Sequence, residues 1–427
     1  MNGQTKHTFD RIAGVLEQSI AKAKKSEFYQ DRIKMPGGFS EANFKRIPAT
    51  NKEDLRQNYP FGLLATERKN IATFHESSGS TGEPTSSYFT DSDWVDVASR
   101  FLRNGANIGS DDTVFIKTPY SLVTTAHQMQ YAARSVGAMV IPAGNRSAMM
   151  SYPKVIRLLK QISPTVTWSL ATELMIWRRV AQETGLDLAT DFPELRAMLV
   201  AGEPLSDRKR IRIGELWGGK QVFQDYGSTE TGSLGGSCSY GKTHIWTDRL
   251  YFEIYDDKSK TFSESGRGSL LITTLFREAM PLIRYELGDD VEISSKPCVC
   301  GSEFPTIEVF GRAVAKDVAK PPHSFLEIEG AVFTLPIHLG VVFWQARWEN
   351  TRLDVEIECS SAVAREAKAS LESILGDLGM SSSVKTLEPE SLVKTSALMT
   401  DSGFAKPRYI IEDPAYWNRG LQYANSR

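Results

Sequence analysis

Between Asp93 and Gln224 helical and strand-like stretches take turns, and this alternation limits the fold more than any other feature of the chain. Helical periodicity over Trp94–Ile108, Thr125–Val136, Tyr152–Ile162, Thr172–Glu183 and Ser206–Leu216 is interleaved with short apolar runs. Those runs are Thr113–Lys117, Ala138–Pro142, Val166–Leu170, Arg196–Ala201 and Gln221–Gln224. Short apolar strands separated by helices need cover on both faces, so the pattern predicts a largely parallel sheet in an α/β fold. Ligands on such sheets gather in loops beyond the strand C-terminal ends. Ala201-Gly-Glu-Pro204 and Asp225-Tyr-Gly227 both fall at such ends.

The flanking regions read differently. Residues 9–34 read as a helix, and Thr50 or Asn51 is placed to cap a second one after Ile47-Pro48. After Gly232 helices nearly vanish; Ile245–Asp248, Leu250–Tyr255, Gly268–Thr273 and Leu282–Tyr285 are strand-like between Gly and Asp turns, which predicts a β-rich subdomain. Gly311 to Pro322 marks a boundary. Beyond it lies a small α+β lid, with strands at Val341–Trp348 and Leu353–Glu358 and a one-faced apolar helix at Ala362–Leu378. The expected domains are 1–312, a large N-terminal domain with parallel sheet layers and the β-rich subdomain, and 313–427, the C-terminal lid.

Bulk composition excludes several classes. At 427 residues the chain exceeds one core. Lys plus Arg, 50, balances Asp plus Glu, 52, so nothing marks a nucleic-acid or anionic-membrane partner. Lys6, His7, Asp10 and Arg11 leave the N-terminus without the apolar core of a signal peptide. No run reaches the roughly 18 apolar residues of a membrane helix; Gly330–Trp344 comes nearest, interrupted by Pro336 and His338. With 4 cysteines the chain is no disulfide scaffold, and a reducing cytoplasm is its expected location.

One loop invites a polyphosphate. Ser77-Ser-Gly-Ser-Thr-Gly-Glu-Pro-Thr85 combines glycines, which let backbone amides converge, with hydroxyl donors. It is not a Walker loop, because no Gly-Lys-Ser/Thr follows at the required spacing. A flexible linker has the same composition, so the loop acquires meaning only beside Gln224-Asp-Tyr-Gly-Ser-Thr-Glu-Thr-Gly232 downstream.

Taken in order, Ser77–Thr85, Ala201-Gly-Glu-Pro204, Asp225-Tyr-Gly-Ser-Thr-Glu230, Pro281-Leu-Ile-Arg-Tyr-Glu-Leu-Gly-Asp289 and Gly311-Arg312 resemble the acyl-adenylate-forming enzymes, specifically the phenylacetate–coenzyme A ligase branch. The likeness runs from about Phe28 to the C-terminus and is strongest between Ser77 and Arg312. The resemblance implies ATP-dependent activation of a carboxylic acid, aromatic or otherwise bulky, to an acyl-AMP with release of pyrophosphate. Transfer to coenzyme A, a carrier or an amine would follow. It places Ser77, Ser78, Gly79, Ser80, Thr81 and Gly82 at the phosphates. Gly202, Glu203, Pro204, Asp225, Tyr226, Gly227, Ser228 and Thr229 go around the nucleotide, with Tyr226 stacking on adenine. Glu230 is the implied Mg²⁺ ligand, a hard carboxylate oxygen. Asp289 would accept the ribose hydroxyls, Arg312 would reach ribose or α-phosphate, and Lys406 in Gly403-Phe-Ala-Lys-Pro-Arg408 would bridge carboxylate and α-phosphate. Tyr120, His127, Tyr131 and Trp168 fall where the family builds its acid pocket, though such residues are more often plain packing. A homodimer is an expected assembly.

The chain departs from the family at several points. Glu83 stands where relatives often place Lys, and Leu287 replaces a hydroxylated residue. The acidic hinge residue, Asp317, lies five positions past Arg312 instead of two or three. Lys320-Pro-Pro-His-Ser-Phe325 replaces the Gly-Asn segment near the coenzyme A tunnel. These departures motivate two rival readings: an adenylyltransferase acting on a cofactor hydroxyl, and a nucleotide-binding protein without turnover. Separately, Cys238, His244, Cys298 and Cys300 offer three thiolates and an imidazole, the donor set of a structural Zn²⁺ site. Some members of the resembled branch carry a similar set; the plain alternative is small buried residues.

Overall fold

The structure is a computed structural model that describes residues 8–77, 83–145, 149–313, 322–400, 409–411, 417 and 421. The chain forms two compact units. One comprises Met1–Asn107, Tyr120–Val136 and Asp225–Ala313, and the other Ile108–Pro119, Gly137–Gln224 and Val314–Arg427.

The second unit holds the alternating region. Strands Met139–Pro142, Thr113–Ile116, Val166–Ser169, Ala197–Val200 and the first half of Gln221–Ser228 pair side by side, all parallel. Helices Tyr152–Ile162, Ala171–Glu183 and Asp207–Leu216 cover them, as the apolar spacing requires. In the helix Tyr152–Ile162 the buried residues are Tyr152, Val155, Ile156 and Leu159, the i, i+3, i+4, i+7 stripe. Truncating Leu159 to Ala would cost about 2–5 kcal/mol.

The C-terminal residues contribute to the same hydrophobic cluster, through Phe333, Trp344, Val355, Leu371 and Leu375 among others. They form a three-stranded sheet, Trp344–Glu349 antiparallel to Arg352–Glu358 and the latter parallel to Ser382–Leu387, covered by the helix Ala364–Asp377. Residues 409–411 extend its edge through a parallel bridge between Ala346 and Ile410.

The first unit is antiparallel. From Asp225 the strand Gln221–Ser228 pairs with Gly232–Ser237, followed in space by Thr243–Ile245, Thr306–Arg312, Tyr285–Ser294, Gly266–Thr274, Leu250–Asp256 and Thr261–Ser263. Gly227 is required by this hairpin, because a Cβ there would lie 2.2 Å from the Gly232 carbonyl oxygen. The N-terminal helices pack here. The expected helix over 9–34 is two, Thr8–Ala23 and Glu27–Arg32, divided at Ser26, whose hydroxyl caps the second.

Among the described residues no helix is long and apolar enough to cross a membrane.

Candidate functional site

Tyr226, Asp289 and Arg312 are brought together by neighbouring strands. Tyr226 on Gln221–Ser228 donates its hydroxyl to Asp289 Oδ2 at 2.7 Å. Arg312, paired in register with Asp289 across the next strand, places Nη1 3.2 Å from Asp289 Oδ1 and also donates to the Leu287 carbonyl. Both Asp289 oxygens are therefore oriented, and each keeps a lone pair. Burial pushes the Asp289 carboxyl above its ordinary value, against the pull of Arg312 and Tyr226. Leu287 has a physical reason: residues of Tyr285–Ser294 alternate between core and surface, and position 287 is buried within the core.

A second carboxylate sits at the glycine-rich loop. Glu230 is 2% exposed. Its Oε1 accepts from the Thr85 hydroxyl at 2.7 Å, and the Ser77 hydroxyl lies 3.1 Å from that of Thr85. The two ends of the loop thus meet beside Glu230, and among the described residues no hydrogen bond reaches its Oε2. One oxygen held and one open suits a hard cation. Ser78, Gly79, Ser80, Thr81 and Gly82 lie outside the described residues, as does Lys406.

Sequence reasoning missed Lys52. Thr50 donates its amide to the Arg284 carbonyl and accepts from the Glu286 amide, which staples the start of the helix Lys52–Gln57 to the strand that carries Asp289. Lys52, its first residue, is half-buried; burial lowers its pKa, while the charges of Glu230 and Asp289 raise it and that of Arg312 lowers it. The capping pattern at Asn51 was legible, but nothing local said what the next residue faces. Arg56, one turn on, donates to the Glu83 carbonyl at 2.9 Å, so this helix brings cations to a loop that lacks the usual lysine.

Other expected residues have structural partners. Asp225 is buried and accepts from Ser233 Oγ at 2.5 Å and from Gln128 Nε2 at 3.2 Å. Burial pushes its carboxyl up to about 7, while Ser233, Gln128 and the Arg100 charge pull it down. Ser228 bonds Thr231 across the turn that also contains Thr229. Arg284, from the motif ending at Asp289, is buried against Glu253 and the Lys45 and Ile47 carbonyls, which makes it a brace.

In the second unit, Gly202 adopts φ +79° and lets the loop before Pro204 turn. Glu203 Oε2 accepts from both the amide and the hydroxyl of Thr172.

Of the pocket candidates, Tyr120 and His127 stack edge-on at 5.3 Å, and His127 meets His75 at 5.2 Å. Tyr131 stacks on Trp94 at 6.4 Å. Burial pushes His75 down to about 4, so this aromatic cluster is uncharged at that ring near neutrality. Trp168 belongs to the second unit, wholly buried in the strand Val166–Ser169.

The ligand atoms of Cys238, His244, Cys298 and Cys300 all lie within 4.8 Å of one another. His244 Nδ1 meets the Phe304 carbonyl at 2.7 Å, which turns Nε2 toward Cys300 Sγ, 3.3 Å away. An imidazole oriented by a backbone carbonyl is the usual outer support of a metal-bound histidine. Four such donors could hold one metal ion.

The structure gathers carboxylates, a tyrosine and basic groups on an α/β scaffold. A model of the family described as AMP-binding enzyme matches residues 17–261, and the chain belongs to that family. It is similar to phenylacetate–coenzyme A ligases of Aromatoleum evansii, 31% identical over 58% of this chain and 57% of that one, and Thermus thermophilus, 32% identical over 62% and 60%. The matches therefore span about three fifths of those relatives' own lengths. Among solved structures, 2-hydroxyisobutyryl-CoA ligase in complex with 2-HIB-AMP superposes with a TM-score of 0.80, covering 98% of this chain and 92% of that one at 21% identity.

Proposed function

We propose that the protein activates a carboxylic acid with ATP, forming an acyl-adenylate and pyrophosphate, and passes the acyl group to coenzyme A. The observation that carries this reading is the Tyr226–Asp289–Arg312 arrangement beside the Thr85–Glu230 pair in a chain of the AMP-binding family. Asp289 receives the ribose hydroxyls on lone pairs that Tyr226 and Arg312 leave open. Lys52 and Arg56 supply positive charge toward the phosphates from the helix Lys52–Gln57, and Lys406 stabilises charge as the acid's oxygen attacks the α-phosphorus. Glu230 Oε2 would hold Mg²⁺, which supplies charge neutralisation at the phosphates when bound. The names of the similar ligases favour an aryl-acetic or short branched acid and coenzyme A as acceptor. The aromatic cluster of Tyr120, His127 and Tyr131 is read as acid-pocket lining, which suits the aryl choice.

The test is acid-dependent ATP–pyrophosphate exchange across aryl and alkyl acids. Exchange with a subset of acids supports the reading. Exchange that needs no acid but responds to hydroxyl-bearing cofactors overturns it in favour of an adenylyltransferase. ATP binding without exchange overturns it in favour of a carrier-docking or regulatory protein.

Cys238, His244, Cys298 and Cys300 are read as a structural zinc site. Protein purified without chelator should contain about one equivalent of zinc and melt at lower temperature after its removal. Elemental analysis that finds no metal removes this reading.

A further inference from the structure

We infer that the Tyr285 hydroxyl is a further binding group of the nucleotide site, a hydrogen-bond donor to the α-phosphate; the inference rests on the placement of the nucleotide in the function proposed above. Tyr285 is wholly buried in the strand Tyr285–Ser294, and among the described residues its hydroxyl has no hydrogen-bond partner. A buried polar group left in that state costs stability, so it calls for an explanation. Nearby Tyr29 shows the ordinary alternative. Its hydroxyl lies 2.9 Å from Thr50 Oγ1 and accepts from the Ile283 amide at 3.0 Å. Both tyrosines are fully buried, yet only Tyr29 spends its hydroxyl on the fold.

The surroundings of the ring say what the hydroxyl faces. Burial alternates along the strand, and Tyr285, Leu287 and Asp289 are its first buried positions. Thr50 bridges to Tyr285 from outside the sheet and stands two residues before Lys52. Burial pushes the Tyr285 hydroxyl well above its ordinary value; after burial the Glu230 charge acts on it most, followed by those of Arg312 and Asp289. The same charges act on Lys52. The hydroxyl therefore keeps its proton near neutrality and stands among the groups read as nucleotide ligands. All of these residues belong to the first unit.

The covalent order of a nucleotide selects the α-phosphate. The proposed function gives the ribose hydroxyls to Asp289 and the metal-bound phosphates to Glu230. Between the ribose and the β-phosphate a nucleotide carries one group, the α-phosphate. A hydroxyl acted on by both carboxylates, but bonded to neither, faces that group. There it would make the hydrogen bond that the fold leaves unmade, and bonds to an ionised oxygen are the strong ones. Phenylalanine would fill the same space without that donor, so packing does not account for the hydroxyl.

The experiment compares Tyr285→Phe with wild type in melting temperature and in the binding of AMP and of adenosine by titration calorimetry. AMP carries the α-phosphate, whereas adenosine offers only ribose and base. The variant should melt no lower than wild type, because removing an unpaired buried hydroxyl removes its cost. Its affinity for AMP should fall about tenfold or more, as for the loss of a bond to a charged group, while that for adenosine stays within about twofold. Tyr29→Phe, which breaks the bonds to Thr50 and Ile283, should melt lower and calibrates the response to a structural hydroxyl. A lower melting temperature in Tyr285→Phe overturns the inference, since the hydroxyl then serves the fold. Unchanged AMP affinity, or equal losses for AMP and adenosine, overturns it as well. Wild-type protein that binds AMP but supports exchange with no acid defeats the proposed function, and the AMP–adenosine comparison still decides the inference. Wild-type protein that binds no AMP defeats both.

Discussion

Asp289 and Arg312, in the first unit, meet with the arginine side chain 60% exposed, whereas Lys209 and Glu329, in the second, meet with neither side chain exposed at all. Both are ion pairs of similar length, 3.2 and 2.9 Å. The exposed pair retains lone pairs and donors that can turn to a ligand, and solvent screens much of its mutual attraction. The buried pair is closed on itself: Glu329 also accepts from the Ser206 amide, and burial opposes the Lys209 charge while Glu329, Tyr409 and Glu203 hold its pKa above the usual lysine value. One arrangement is built to receive charge and the other to fix the relative places of two helices. The difference shows why charged residues must be sorted by what remains open around them before any is given a chemical role.

The largest expected effect comes from opening the closed pair. Lys209→Met leaves Glu329 buried without its cation and should destabilise the protein by about 3–5 kcal/mol, while the double replacement Lys209→Met with Glu329→Leu should recover most of that loss. Urea unfolding midpoints measure both; a single replacement costing under about 1 kcal/mol would place the pair among ordinary surface contacts. Glu230→Gln tests the open side. It keeps the Thr85 contact but removes the charge on Oε2, so exchange should drop by about 10²–10³ with the melting temperature retained. Equal exchange at limiting Mg²⁺ would take Glu230 out of the site.

A smaller effect, read per pH unit, is expected from a buried carboxylate held by neutral hydrogen-bond donors. Asp225 has its pKa raised above the unfolded value, so its contribution to stability is present in full below about pH 4 and is lost as pH rises through about 7. Over that interval wild type should lose stability with a slope approaching about 1.4 kcal/mol per pH unit relative to Asp225→Asn. Parallel pH profiles for the two proteins would mean that Ser233, Gln128 and Arg100 hold Asp225 ionised after all.

How far these regions were legible in advance follows the same physical divide. The parallel sheet was readable because Ala197–Val200 is apolar on both faces and, like Val166–Ser169, is flanked by periodic helices. The strand Gly232–Ser237 was not, since Gly-Ser-Leu-Gly-Gly-Ser has no strand propensity and is held by its neighbours. The strand Thr306–Arg312 was not legible, because Gly311-Arg312 reads as the start of the boundary that runs to Pro322; it is an interior strand with a bulge. The helix Phe325–Thr334 was overlooked behind Pro-Pro, although Ser324 and Glu327 form its capping box. In the site, motif residues Tyr226, Glu230, Asp289 and Arg312 announced themselves by type and order. Lys52 did not, because it gains its meaning from Asp289, more than 100 positions away.

In the proposed function the open carboxylates of the first unit serve attack at the α-phosphorus of ATP by a carboxylic acid. A single turnover tests it most directly, with protein in excess over ATP, an accepted acid present and coenzyme A withheld. Acyl-AMP and pyrophosphate are expected in equal amounts by mass spectrometry, with the acyl-AMP consumed when coenzyme A is added. ADP and phosphate as the products, or AMP formed without the acid, would contradict it.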